Sequence, residues 1–303
     1  MSLLDYIKNI FFILIILSFA PSLIENIVKQ YSRYIEQRTK VAVLPVEGVI
    51  YNSQRLSKYV HKFFKDDDIR AILIRMDCAG SAAGSGESLY NEILSMKKDY
   101  PKPVIVLVEN ICASGGYNIA CAADYIIGSP SSLIGSIGTA LPNLFQLKEF
   151  INQYKVGYKP ITGGQYKSTT DPFVEMTPEQ QAMLQRVATD AYNQFVQTVA
   201  QSRKLSLNKS DEWANGRIFT GHQALGIGLI DELGSSYNAL KKIKEKALIE
   251  GEIEWVHPPK KGAWAKFFGG GDFEHNDNSM FSRMVNQICS TLENRYSTNK
   301  LIN

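Results

Sequence analysis

"PVIVLVENICASGGYNIACAADYIIG", residues 103–128, sets an apolar, β-branched run against a cluster of small residues and then a second short apolar run. The first run reads as a buried strand, the small residues from Ser114 onward as the start of a helix, and "YIIG" at 125–128 as another strand. A strand, helix and strand within so few residues is a parallel β-α-β unit, which calls for more units of the same kind on either side.

Upstream, "VAVLPVEGVI" at 41–50 and "RAILIRM" at 70–76 are strand-like runs. Between them, "SQRLSKYVHKFFKD" spaces Leu56, Tyr59, Val60, Phe63 and Phe64 as one helical face, and "GESLYNEILSMKKD" after them is a second amphipathic helix. Downstream, "SPSSLIGSIGT" reads as a turn-rich stretch. Thr177, Pro178 and Gln180 then form a capping-box signature at the head of the longest expected helix, 177–204. "GRIFTGHQALGIGLIDELG" at 216–234 packs a short helix and strand back on the core, and after Glu254 the chain turns breaker-rich, with one peripheral helix expected over 280–296. The fold class is therefore α/β. Three parts are expected: 1–40 as a membrane anchor or signal segment with its linker, 41–254 as the globular domain, and 255–303 as a loop-rich extension.

Composition excludes some functions. The chain has 303 residues, 45% hydrophobic and 21% charged, with 33 basic against 30 acidic side chains, so no strong field exists to attract nucleic acid. Its four cysteines, Cys78, Cys112, Cys121 and Cys289, form no C-x-x-C pair and read as small core residues. "IFFILIILSFAPSLI" at 10–24, continued to Val28, approaches the length of a membrane span. Ser18 and Ala20 resemble a cleavage site, but Pro21 opposes cleavage, which favours an uncleaved anchor. Lys29, Arg33, Arg38 and Lys40 outnumber Lys8 across that segment and, by the positive-inside rule, would hold the following side in the cytoplasm.

A serine before Gly115 and Gly116 at a strand-to-helix transition has two readings. As an N-cap, its hydroxyl accepts from a helical N–H; as a nucleophile, it attacks a carbonyl whose oxyanion the Gly115 N–H and the helix N-terminus stabilise. A nucleophile requires a base. His61 lies in an amphipathic helix, His222 beside a helix start, and His257 and His275 in the breaker-rich C-terminal part, so none supports a Ser-His-Asp triad. A lysine base must lose its proton near neutral pH, which takes burial and a pKa fall of about three units from about 10.4. Lys167, in "TGGQYKSTTDPF", stands among glycines and hydroxyls, a setting equally open to a solvated loop lysine.

The chain resembles the signal peptide peptidase A and SohB family of membrane-associated serine peptidases. "ASGGYNIACAADYIIGSPSSLIGSIG" (113–138) is similar to the family's nucleophile segment, "GGQYKSTTDPFVEMTPEQQ" (163–181) to its lysine segment, and "GRIFTGHQALGIGLIDELG" to its C-terminal signature. The likeness runs from Val41 to Leu248. It implies a Clp-protease/crotonase-like core of repeated β-β-α units in a spiral, with an N-terminal membrane helix. It implies Ser114 as nucleophile, Lys167 as general base, Ser136 as the residue that orients the lysine, and Gly80 and Gly115 as oxyanion donors. The chain departs from the family at the loop after the second strand, where Ala79, Gly80 and Ser81 replace Pro-Gly-Gly.

The resemblance further implies cleavage of hydrophobic peptides such as released signal peptides, and closed homo-oligomers in which neighbouring subunits share a dyad. The anchor would sit in the bacterial inner membrane with the catalytic part periplasmic or extracytoplasmic, against the charge rule. No metal and no organic cofactor is implied. Two other readings share the pattern: a crotonase-like acyl-CoA enzyme, which needs no paired Ser114 and Lys167, and a catalytically impaired relative that serves as a membrane scaffold.

Overall fold

The computed structural model describes residues 11, 18–21, 24, 38–141 and 144–259. No described helix is long and apolar enough to cross a membrane. The expected anchor falls almost wholly outside the described residues, as do His275, Cys289 and the helix expected over 280–296.

Among the described residues, eight strands form one sheet. The long ones are β1 (Thr39–Ile50), β2 (Ile69–Ser81) and β3 (Val104–Ala113), joined by helices α1 (Gln54–Lys65) and α2 (Ala83–Asp99). Strands β4 (Tyr125–Gly128) and β5 (Leu133–Gly135) follow the short helix α3 (Gly115–Ala120). The long helix α5 (Pro178–Arg203) comes after the short α4 (Lys148–Gln153). The chain then forms α6 (Ser210–Trp213), β6 (Ile218–Thr220), α7 (Gly221–Gly226), β7 (Glu232–Leu233), α8 (Ser236–Ala247) and β8 (Ile253–Val256). The order across the sheet is β6-β5-β3-β2-β1-β8, with β4 between β3 and β7, and every pairing is parallel except β5 with β6.

The apolar runs are continuous because both faces of the sheet are covered. Alternate residues go to opposite sides: Leu44, Ile72, Ile74, Val106 and Val108 join Phe63, Leu89, Tyr117 and Phe195 in one core, whereas Val41, Ala71, Leu73, Ile105 and Leu107 join Ala239 and Ile243 of α8 in the other. The expected strands at 41–50, 70–76 and 125–128 are present. Two others depart from the reading. Leu133–Gly135, inside the turn-rich stretch, pairs with Ile111–Ala113, and β8 adds an edge strand across Glu254 by pairing with β1. The sheet divides along β3: its first half pairs with β4 and its last three residues with β5. Ser114 leaves the sheet at the end of that second branch.

Candidate active site

Ser114 occupies the N-cap position of α3 yet makes no side-chain cap bond, and its backbone stands at φ 51°, ψ −125°. Thr177, Thr220 and Ser235 in the same chain each cap their helix with the hydroxyl and complete a capping box. The cap reading of Ser114 is thereby corrected. Its hydroxyl is left available at a sharp strand-to-helix turn in a backbone region costly for a residue with a Cβ, the arrangement that thrusts a nucleophile out of a sheet. The turn is held by the main chain: the Ser114 N–H donates to the Gly135 carbonyl (2.8 Å) and the Asn118 N–H to the Ser114 carbonyl (3.0 Å).

The two glycines are required by close approach. A Cβ on Gly115 would lie 1.9 Å from the Ser81 Oγ, and one on Gly116 would lie 2.8 Å from the Cys78 carbonyl oxygen. Gly80 lies against the serine, since a Cβ there would come 3.5 Å from the Ser114 Cβ. Ala79, Gly80 and Ser81 form the end of β2 and not a free loop: Gly80 pairs with Val49 and Ser81 with Ile50, after a register shift at Gly48/Val49. The Cys78 thiol, kept protonated as burial pushes its pKa up, donates to the Gly80 carbonyl at 3.1 Å. Sheet pairing and this thiol restrain the segment that lacks the family's proline.

Ser114 and Gly115 line a cavity of about 130 Å³ together with Ser81, Ala83, Glu87, Asn118, Gly138, Thr139, Ala140, Ala191, Gln194, Phe195 and Thr198. A larger one of about 640 Å³ is lined by Leu141, Leu144, Met176, Leu184 and Ala188 among others, and shares Thr139 with it. Ser136 follows β5 directly, with φ 49° and its N–H donating to the Arg217 carbonyl at 2.7 Å. Ser136 is thus one residue from the carbonyl that anchors Ser114.

Lys167 stands on a different segment. It is exposed in the turn-rich segment after Gly164, whose carbonyl accepts its N–H at 3.2 Å, and it is not among the residues lining either cavity. Its ammonium has no hydrogen-bond or ion-pair partner among the described residues. Within one chain the fold brings Ser114, Gly115, Gly80 and the Ser136 turn together, while Lys167 stays exposed and lines neither cavity. The described histidines supply no substitute: His61 pairs with Glu92, and His222 and His257 are exposed and line neither cavity. Among the described residues no group of three His, Cys, Asp or Glu side chains could hold a metal.

Behind the site, Arg203 at the end of α5 makes two hydrogen bonds to Asp231 (3.0 and 2.7 Å) and one to the Gly228 carbonyl. Asp231 also accepts from the Ile126 N–H, and the Tyr117 hydroxyl donates to the Leu229 carbonyl. These bonds tie α3 and β4 to the segment around β7. The sequence reading passed over Arg203 and Asp231, because 28 residues separate them and neither lies in an apolar or glycine pattern.

Residues 96–250 match peptidase family S49. The chain is 36% identical over 229 residues to a candidate protease of Synechocystis, covering 74% of this chain and 81% of that protein. It is 34% identical over 183 residues to a candidate protease of Methanocaldococcus jannaschii, covering 60% of this chain and 58% of that protein. With a candidate signal peptide peptidase of Enterococcus faecium it shares 29% identity over 230 residues, 71% of this chain and 66% of that protein.

Proposed function

The chain belongs to peptidase family S49, a family of serine peptidases, and we propose that it hydrolyses peptides through an acyl-enzyme with Ser114 as nucleophile and Lys167 as base. The observation that carries this reading is the strained, non-capping conformation of Ser114 on the wall of a cavity. Neutral Lys167 takes the hydroxyl proton, Ser114 Oγ bonds to the scissile carbonyl carbon, and the oxyanion is held by the N–H groups of Gly115 and Gly80. Lys167 returns the proton to the leaving amine as the C–N bond breaks, and water repeats the attack on the ester.

The lysine comes from a neighbouring copy in a homo-oligomer. In support, the segment that carries Lys167 exposes large apolar side chains, Phe150 at 58% and Ile161 at 97%, an arrangement that favours burial against another surface. The substrates are hydrophobic peptides, including released signal peptides. In support, one relative is named for signal peptides, and the larger cavity is lined in part by Leu141, Leu144, Met176 and Leu184. The N-terminal apolar run anchors the enzyme in the bacterial inner membrane, with the catalytic body extracytoplasmic.

A serine-directed phosphonate should label the wild type and not Ser114→Ala, and cleavage of an apolar quenched peptide should fall on the order of 10⁴- to 10⁶-fold in that variant. A wild type that assembles but takes no label and cuts no peptide would convert the reading to a scaffold.

A further inference from the structure

Glu87 is the only charged residue among those lining the cavity at Ser114. It stands on the second turn of α2, and its carboxylate has no hydrogen-bond or ion-pair partner among the described residues. On the same wall, the Asn118 Oδ1 is buried and has no hydrogen-bond donor. Thr139, Gln194 and Thr198 add further polar side chains, and no lysine, arginine or histidine lines the space.

A buried acceptor without a donor is costly, and the exposed Glu87 carboxylate, with no cation beside it, is left to solvent. Their matching ligand is cationic and rich in N–H donors. The cavity also shares a lining residue, Thr139, with the larger space lined by Leu141, Leu144, Met176 and Leu184. We infer that this cavity is a specificity subsite, with Glu87 as its selecting residue, for a lysine or arginine side chain of the substrate that lies next to an apolar run. The inference rests on the peptidase reading and adds to it the charge preference at the scissile bond.

Selection acts through Glu87. With a basic side chain bound, its carboxylate gains an ion pair in exchange for the water it gives up; with an aliphatic one, it gives up that water without return. Because Glu87 is exposed, the effect is screened and should be about tenfold rather than several thousandfold.

The test uses the full-length protein and quenched peptides with an apolar flank and either lysine or norleucine at the residue adjoining the scissile bond, each position being tried on both sides of that bond. In the wild type the lysine peptide should exceed the norleucine peptide about tenfold in kcat/KM on one side of the bond. Glu87→Gln should bring that ratio to about one, and Glu87→Lys should reverse it in favour of a glutamate peptide. Equal cleavage of lysine and norleucine peptides by the wild type overturns the subsite, as does a preference that survives Glu87→Gln. An equal fall for both peptides in Glu87→Gln, with the ratio kept, assigns the carboxylate to the incoming Lys167 and also overturns it. Failure to cleave any of the peptides overturns the peptidase reading and the subsite with it, an outcome separate from cleavage without charge preference.

Discussion

The segments that carry Ser114 and Lys167 are opposite in physical character. Residues 104–138 are wound into the core: β3 is paired on both sides, Tyr117 is fully buried, and Ser114 is fixed by backbone bonds to Gly135 and Asn118. Residues 144–176 mostly bond to one another, through Lys148 with Glu175, Tyr158 with Asp171 and the Leu147 N–H with the Pro172 carbonyl, and leave most side chains in solvent. A nucleophile needs a position defined to fractions of an ångström, which a paired strand end supplies. A lysine that must shed its proton needs low polarity around it, and a lone chain does not surround Lys167 with any.

The strongest challenge to this contrast is complementation. Ser114→Ala and Lys167→Ala should each be inactive alone. Co-assembled in equal amounts they should recover roughly a quarter of wild-type peptide cleavage if each site draws its lysine from a neighbour in a closed symmetric ring. No recovery, with mixed oligomers verified by mass, would place both groups in one chain.

Stability should divide along the same line. Arg203→Ala strips the partner from Asp231, with Arg203 only 10% exposed, and should cost about 3 kcal/mol in denaturant unfolding. Ile161→Ser, at a site 97% exposed in the single chain, should change monomer stability by less than about 0.5 kcal/mol while weakening assembly measured by sedimentation. A large loss of monomer stability in Ile161→Ser would mean the loop is packed within its own chain.

Strain at the nucleophile gives a smaller effect of opposite sign. Glycine accepts φ 51° without a Cβ penalty, so Ser114→Gly should raise stability by about 1 kcal/mol while abolishing phosphonate labelling. A true cap serine would instead lose a few tenths on the same change.

Least visible at neutral pH is the thiol set. Burial pushes the Cys121 thiol up to about 12 from the ordinary 9.0. The native state therefore holds that proton more tightly than the unfolded chain. Its contribution is complete below about pH 9 and is lost as the pH climbs from 9 toward 12. At pH 8, iodoacetamide should leave Cys121 unmodified until denaturant is added, as read by peptide mass mapping.

Much of the fold was legible in the chain. Runs such as "VAVLPVEGVI" and "YIIG" announce strands covered on both faces, and the Thr177-Pro178-Gln180 box places the start of α5 where the structure has it. Strands β5 and β8 were not legible, since three residues after a turn and an edge strand half open to solvent carry no periodic signal. At the site, Ser114, Gly115 and Lys167 stand out by residue type, whereas Glu87 looks like any charged helix residue.

Local chemistry and periodicity were enough to set the β-α-β order, to place the small residues at the strand end and to single out a serine and a lysine. They could not choose between a cap and a nucleophile, because both occupy the same position in the chain. That choice depends on φ and ψ at Ser114, which long-range pairing of β3 with β5 and close approach of Gly115 to Ser81 impose. Which carboxylate lines the cavity at the serine was likewise a matter of tertiary contact, since α2 and α3 meet only when the strands beneath them pair.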